Sequence, residues 1–398
     1  MIGLFPSQQI EELIRGGRIT AIQPIGEEQV QPASLDLRLG PVGYRVRASF
    51  LPNSKSTMAS KLTEMEAHQE AFRLDLTRPT ILEREHVYLI EVMEALDLPP
   101  DVSGKASPKS TTGRLDVFTR LITDFADAFE VVPAGYRGPL YVEIIPRTFG
   151  IIVRAGQKLN QLRLSRGVPE ESDQALADLH ARETLVFSRE GEPAMPAIAK
   201  GLLVSVDLDP AAEDRIVGFR AKMDPCVLDL DKRRHYPALD YWDPIYRGAR
   251  RQLLLVPDFF YILASKEKIR IPLTHAAEMV PYDPNFGEFR IHYAGFFDPG
   301  FGYGSGDIRG ARAVLEVRSY GVPCLLEDGQ VMGRVVFERL VETPSKIYGP
   351  TIGSSYQEQG VSLASQFAPV PSDAAGASGA PGAPGASGAP GAAAQSSR

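Results

Sequence analysis

Cysteine is almost absent: Cys226 and Cys324 are the only two in 398 residues. Two thiols are too few for a disulfide framework or a thiolate zinc site. Long apolar runs are missing as well, and no window approaches the roughly 18 uninterrupted residues that a membrane-spanning helix needs. There is no basic excess: the formal net charge is −7 and the sequence pI is about 5.6. A protein that coats duplex nucleic acid is therefore not expected, and any phosphate-bearing ligand should be small and met by local cations. The opening Met1-Ile-Gly-Leu-Phe-Pro-Ser7 lacks a basic segment followed by an apolar one. A soluble, cytoplasmic protein without a membrane partner is the expectation. Neither a Walker A loop nor a dinucleotide fingerprint occurs.

What the chain does hold is a repeat. Tyr88-Leu-Ile with Pro99 matches Tyr261-Ile-Leu with Pro272, and Glu143 with Gly156-Gln157 matches Glu316 with Gly329-Gln330, all at an offset of 173. Ser34-Leu-Asp-Leu matches Ser205-Val-Asp-Leu at 171. Landmarks in one order at nearly one offset indicate two copies of one domain. The apolar content of 43% is enough for two cores.

Each half reads as short strands, among them Ser34–Leu39, Val87–Val92, Leu140–Ile145, Leu159–Leu164, Leu253–Val256, Ala313–Val317 and Arg334–Phe337. Pro, Gly and Asp signals separate them, the pattern of an all-β barrel or jelly roll with a few short helices. One helix is expected near the start, capped by Ser7, striped by Ile10, Leu13 and Ile14, and ended by Gly16-Gly17. A second, over about Glu170 to Arg182, is expected to close the first domain. The expected divisions are 1–195, 196–345, a segment 346–368 and a tail 369–398. In the tail, glycine recurs every third residue from Gly376 to Gly391. Six such triplets are few for a collagen helix, and the expectation is a disordered linker-like tail.

Three segments could carry chemistry. Ser107-Pro-Lys-Ser-Thr-Thr-Gly-Arg114 gathers hydroxyls, two cations and a glycine, which suits phosphate oxygens but is also the composition of a polar surface loop. His292-Tyr-Ala-Gly-Phe-Phe-Asp-Pro-Gly-Phe301 is an aromatic-flanked turn that could hold a flat ring, or simply cap a β-arch. Glu143 and Glu316 each lie inside an apolar strand. By alternation Glu143 shares a face with Tyr141 and Ile145, and Glu316 with Val314 and Arg318. Each is either a solvent-facing acid or a partly buried one whose raised pKa suits proton transfer. The glycine cluster Gly302–Gly306 opens no helix and reads as a flexible insertion. The six histidines (68, 86, 180, 235, 275 and 292) show no metal-ligand spacing.

In order, these motifs resemble the dCTP deaminase branch of the trimeric dUTPase superfamily. Gln31-Pro-Ala-Ser-Leu-Asp-Leu-Arg-Leu-Gly40 resembles its first motif, and Lys109-Ser-Thr-Thr-Gly-Arg114 its second. Ala294–Gly300 followed by Ala313-Val-Leu-Glu316 resembles the base-binding turn and the catalytic strand. Gly156-Gln157 and Gly329-Gln330 resemble its glycine-led motif. Tyr356-Gln-Glu-Gln-Gly360 with Ser365 is similar to the C-terminal segment that closes over the nucleotide. The copies depart from the family in complementary ways. Domain two has Val280-Pro-Tyr-Asp-Pro-Asn285 in place of the second motif, and domain one has Phe125–Gly135, without Asp-Pro-Gly, in place of the third.

The resemblance implies a tandem dUTPase-like fold and hydrolytic deamination of dCTP to dUTP, supplying thymidylate synthesis. It implies Glu316 as the proton carrier, with Glu143 as its counterpart, and Ser110 and Arg114 as partners in one split site per chain. Lys109, Thr111, Ala294, Asp298, Gly300, Lys346, Tyr348, Tyr356 and Gln359 become candidate contacts to the nucleotide. Mg2+ would arrive with the triphosphate. Zinc is not expected, because the zinc deaminases need a His-x-Glu element with a Pro-Cys-x-x-Cys element and neither occurs. The family's packing implies a homo-oligomer, with a trimer as one candidate. The alternatives are a dUTPase, a bifunctional enzyme that also releases pyrophosphate, and a non-catalytic nucleotide-binding regulator.

Overall fold

The structure, a computed structural model, describes residues 2–210, 215–281, 289–291, 295–303, 308–319, 321–349 and 361–370. The chain is mainly β, as expected. Domain one is built on a ten-stranded sheet whose main path runs Val117–Thr123, Arg137–Pro146, Val87–Asp97, Leu35–Val46, Lys158–Arg166, Val102–Pro108 and Val131–Val132. Inward residues of these strands (Leu35, Leu37, Ile90, Val142, Ile144, Leu162 and Leu164) are fully buried in one core.

Domain two repeats this plan in two sheets. One runs Trp242–Tyr246, Ile216–Ala221, Phe260–Ile269, Ala311–Ser319 and Phe289–Ile291; the other runs Leu202–Ser205, Val331–Arg339, His275–Pro281 and Phe296–Phe297. The likeness extends to register. Glu143 pairs with Leu89 on the neighbouring strand, and Glu316 pairs with Ile262, the residue at the same offset.

The first helix spans Ser7–Arg15, but Ser7 does not cap it. Pro6 holds the N-cap position and Ser7 is the first helical residue. The hydroxyl of Ser7 is buried and meets that of Ser345 at 2.9 Å, so it ties the helix to the later chain instead of to its own backbone. The helix Asp173–Arg182 is capped by Ser172, whose hydroxyl accepts from the Ala175 amide at 3.2 Å. Its buried residues, Leu176 and Leu179, pack into the core of domain two. The expectation that it closes domain one is therefore corrected: its short apolar stripe covers the second sheet.

The domains share an apolar seam. The single tryptophan, Trp242, is fully buried against Phe149 of domain one, with ring centroids 5.4 Å apart. Phe367 sits edge-on to Trp242 at 5.9 Å, so the segment 361–370 is pinned across both domains. This seam fixes the registry of the two halves and brings their polar motifs together.

Candidate active site

The strand Ala311–Ser319 divides its residues by parity, as a pleated strand must. Ala311, Ala313, Leu315 and Val317 fill the core of domain two. Arg312, Val314 and Glu316 look the other way, into a pocket completed by Pro108, Lys109, Ser110 and Arg114 of domain one. The cavity these residues enclose is narrow, about 70 Å³, smaller than most ligand-filled sites.

The domain-one wall is a single turn of helix, Ser110–Gly113, with Lys109 at its N-cap. The amides of Thr112 and Gly113 close it by donating to the Lys109 carbonyl at 2.8 and 3.0 Å. Glycine leaves room for the acid here: an added Cβ at Gly113 would press on the Glu316 carboxylate and displace it. Arg114 follows and donates to the Ser362 carbonyl at 3.2 Å, which ties the C-terminal segment to the turn.

Of the three cations that line the pocket, Lys109, Arg114 and Arg312, two are held by acids of the repeated Ser-x-Asp-Leu motif. Lys109 pairs with Asp36 of the first copy, and Arg312 with Asp207 of the second at 2.9 Å. Both aspartates are about 2% exposed, so the acid end of each pair is shielded while Lys109 and Arg312 reach toward the pocket.

The aromatic turn forms the opposite wall. Phe296, Phe297, Asp298, Phe301 and Tyr348 line it, with the Phe301 and Tyr348 rings 5.6 Å apart. Arg163 of domain one is the anchor. Its guanidinium donates to the carbonyls of Ala277 and Phe297 and to Glu338, each at 2.9 Å. It also lies 4.0 Å from the Phe296 ring centroid. Burial raises the Asp298 pKa against the opposing pull of Arg163.

The two glutamates of the repeat have different surroundings. Glu143 is fully buried and receives Arg120, whose Nε donates to it at 3.0 Å and whose second nitrogen also reaches it. Phe129 stacks on that guanidinium at 3.5 Å. Glu316 is buried too, but among the described residues its carboxylate makes no hydrogen bond. Burial pushes its pKa up to about 8; Arg114 pulls it down and Asp116 pushes it further up. One copy thus holds a neutralised structural ion pair, and the other a carboxyl facing a pocket.

Of the residues singled out from sequence, Lys109, Ser110, Arg114, Asp298, Glu316 and Tyr348 line one pocket. Gly300, at φ +94°, backs onto the Tyr348 main chain and supports the wall without lining it. Thr111 lies in the turn but outside the lining. Lys346 faces away, pairing with Glu11 of the first helix at 2.9 Å. Ala294, Tyr356 and Gln359 lie outside the described residues, as does most of the glycine cluster. The sequence reading missed Arg312, Asp36, Asp207 and Arg163. No sequence signal singles out Arg163, because its strand Lys158–Arg166 also carries Asn160, Gln161 and Ser165.

Residues 1–168 match the profile of the N-terminal domain of 2'-deoxycytidine 5'-triphosphate deaminase, and residues 172–367 match that of its C-terminal domain. The chain belongs to the dCTP deaminase family. The two profiles divide it between 168 and 172, where the packing of the helix Asp173–Arg182 also divides it, earlier than the expected boundary near 195. A crystal structure of 2'-deoxycytidine 5'-triphosphate deaminase from Agrobacterium tumefaciens superposes with a TM-score of 0.81 at 45% identity, covering 86% of this chain and 99% of that one. A dUMP-forming dCTP deaminase of Parafrankia sp. (strain EAN1pec) is 29% identical over 164 residues, 41% of this chain and 76% of the relative. The dCTP deaminase of Ignicoccus hospitalis is 28% identical over 147 residues, 37% of this chain and 74% of the relative.

Proposed function

We propose that the chain hydrolyses the C4 amine of dCTP, giving dUTP and ammonia, in one site built from both domains. The carrying observation is Glu316, an acid with a raised pKa buried against the Gly113–Arg114 turn and open to a pocket that holds Lys109, Arg114 and Arg312. In this reading the Glu316 carboxylate takes a proton from water as the oxygen bonds to C4. Glu316 then returns the proton to the amine as the C4–N bond breaks. Ser110 and main-chain groups of the aromatic turn hold the water. Arg114 orients the carboxylate, and the ring lies along Phe296, Phe297 and Tyr348.

Such a proton relay contributes about 10²–10⁴-fold, and the rest comes from positioning in a site shielded from water. The acids of the pocket, Glu316 and Asp298, both have raised pKa values, and the other polar lining is largely cationic. That donor set suits a triphosphate carrying its own Mg2+ rather than a resident metal. No zinc takes part in this reading, which the missing His-x-Glu and Pro-Cys-x-x-Cys elements support.

The test is Glu316→Gln, assayed for ammonia release and for dCTP binding. Loss of ammonia with binding retained is expected; an active variant would overturn the assignment. Several relatives are named dUMP-forming, so the same assay should follow pyrophosphate. Its stoichiometric release would replace dUTP by dUMP as the product.

A further inference from the structure

Arg114 and Glu316 meet across the domain boundary, and two residues further along each element a second pair does the same. Asp116 and Arg318 form an ion pair in which Asp116 is fully buried and Arg318 is 5% exposed. Thr148 closes the arrangement: its hydroxyl donates to the Asp116 carboxylate at 2.6 Å and accepts from Arg318 at 2.9 Å. Arg318 also donates to the Asp258 carbonyl at 2.7 Å. The main chain of Asp116 is equally committed, with its amide donating to the Gly113 carbonyl at 2.8 Å and its carbonyl accepting from Arg147 at 2.9 Å. Asp116 sits at φ +52°, in the left-handed region that glycine enters without cost. A side chain at that position has to be justified by what it binds, and this one binds the other domain.

We infer that Asp116 and Arg318 are positioning residues for the proton carrier: the pair clamps the Gly113–Arg114 turn onto the Glu316 strand and sets the charge behind its carboxylate. The inference rests on Glu316 being the base. Burying a charge pair adds little net stability compared with apolar packing, so its value lies in geometry and field. The charged and titratable groups around Glu316 are Lys109 and Arg114 on the turn, Arg312 on its own strand, and Asp298 and Tyr348 on the far wall, with Asp116 behind the turn and Arg318 two residues further along the strand. Among these cations Arg318 is the one neutralised by an acid whose own charge opposes ionisation of Glu316. Removing one half of the pair therefore moves Glu316 one way, and removing the other half moves it the opposite way.

The experiment is the pH dependence of kcat/KM for Asp116→Asn, Arg318→Met, Arg318→Lys and the Asp116→Asn/Arg318→Met double variant, with dCTP as substrate and ammonia as readout. Activity needs ionised Glu316, so the acid limb reports its pKa. Asp116→Asn is expected to move that limb down and Arg318→Met up, each by at least about half a unit, with the double variant between them. Arg318→Lys keeps the charge and should hold the limb in place while lowering kcat. Thr148→Val offers a milder lesion should the charge variants fold poorly, and should lower kcat with KM little changed. Limbs that stay put, or that move in the same direction for both single variants, overturn the inference even if kcat falls. If Glu316→Gln itself is active, the fault lies in the base assignment rather than in the clamp.

Discussion

Gly113 and Glu316 touch across the domain boundary, so closely that a methyl group on the Gly113 Cα would overlap the carboxylate. The contact joins the only helical turn of the domain-one motif to the strand that carries the acid. Gly113→Ala should leave the fold intact, because the carboxylate can rotate away. It should lower kcat by about 10²-fold or more, as displacement of a reacting group by an ångström does. Steady-state kinetics with a circular dichroism control checks this; an unaltered kcat would show that the contact is not part of the working geometry.

Glu143, the counterpart of Glu316, should behave as a structural residue. Glu143→Gln weakens a buried pair with Arg120, whose side chain is 23% exposed. The expected cost is about 2–3 kcal/mol, somewhat under the roughly 3–5 for a fully buried pair. Ammonia release per folded molecule should be unchanged. Urea denaturation beside the activity assay separates the two effects, and a folded but inactive Glu143→Gln would move catalysis to the first copy.

Glu316 should also oppose stability. Its pKa in the folded protein is raised to about 8 from an ordinary 4.5. Stability from keeping it protonated is complete below about pH 4.5 and is lost as pH rises through about 8, because the unfolded chain ionises first. Glu316→Gln removes this loss. The variant should melt at nearly the wild-type temperature at pH 5 and at least about 5 °C higher near pH 8.5. Glu130, whose pKa burial likewise raises to about 8, is present in both proteins and cancels. Equal melting temperatures at both pH values would mean that Glu316 is already ionised at neutral pH.

Arg312 lines the pocket while its partner Asp207 keeps a second cation, Arg189, at 2.8 Å. Arg312→Met therefore removes a pocket charge without stranding the buried aspartate. Loss of a charged contact worth about 1.5–3 kcal/mol raises KM for dCTP by roughly 10–100-fold. The kcat should change much less. Initial-rate kinetics over a range of dCTP checks this, and a fall confined to kcat would place Arg312 beside the reacting atoms instead.

Much of this architecture can be read from residue order. Alternation along Ala313–Val317 places Glu316 with Val314 and Arg318, and the strand Ala311–Ser319 keeps that parity. The offset of 173 pairs Glu143 with Glu316, and the ladders pair their neighbours at the same offset. Periodicity is local, and a pleated strand turns it directly into a face. The cap at Ser7 and the allegiance of the helix Asp173–Arg182 were misread for the opposite reason. A serine before an apolar stripe does not reveal that Ser345 needs its hydroxyl. Nor does a stripe of two leucines name the sheet it will cover.

Residue order alone gives two β-rich halves and the acids embedded in their strands. Tertiary structure alone decided what surrounds each glutamate. They stand at matching registers of two strands and differ in what packs against them: Arg120 from Glu143's own domain, the Gly113–Arg114 turn of the other domain for Glu316. Burial and charge around a side chain are set by residues distant along the chain. The raised pKa of Glu316 therefore emerges only when the Trp242 seam brings the two domains into contact.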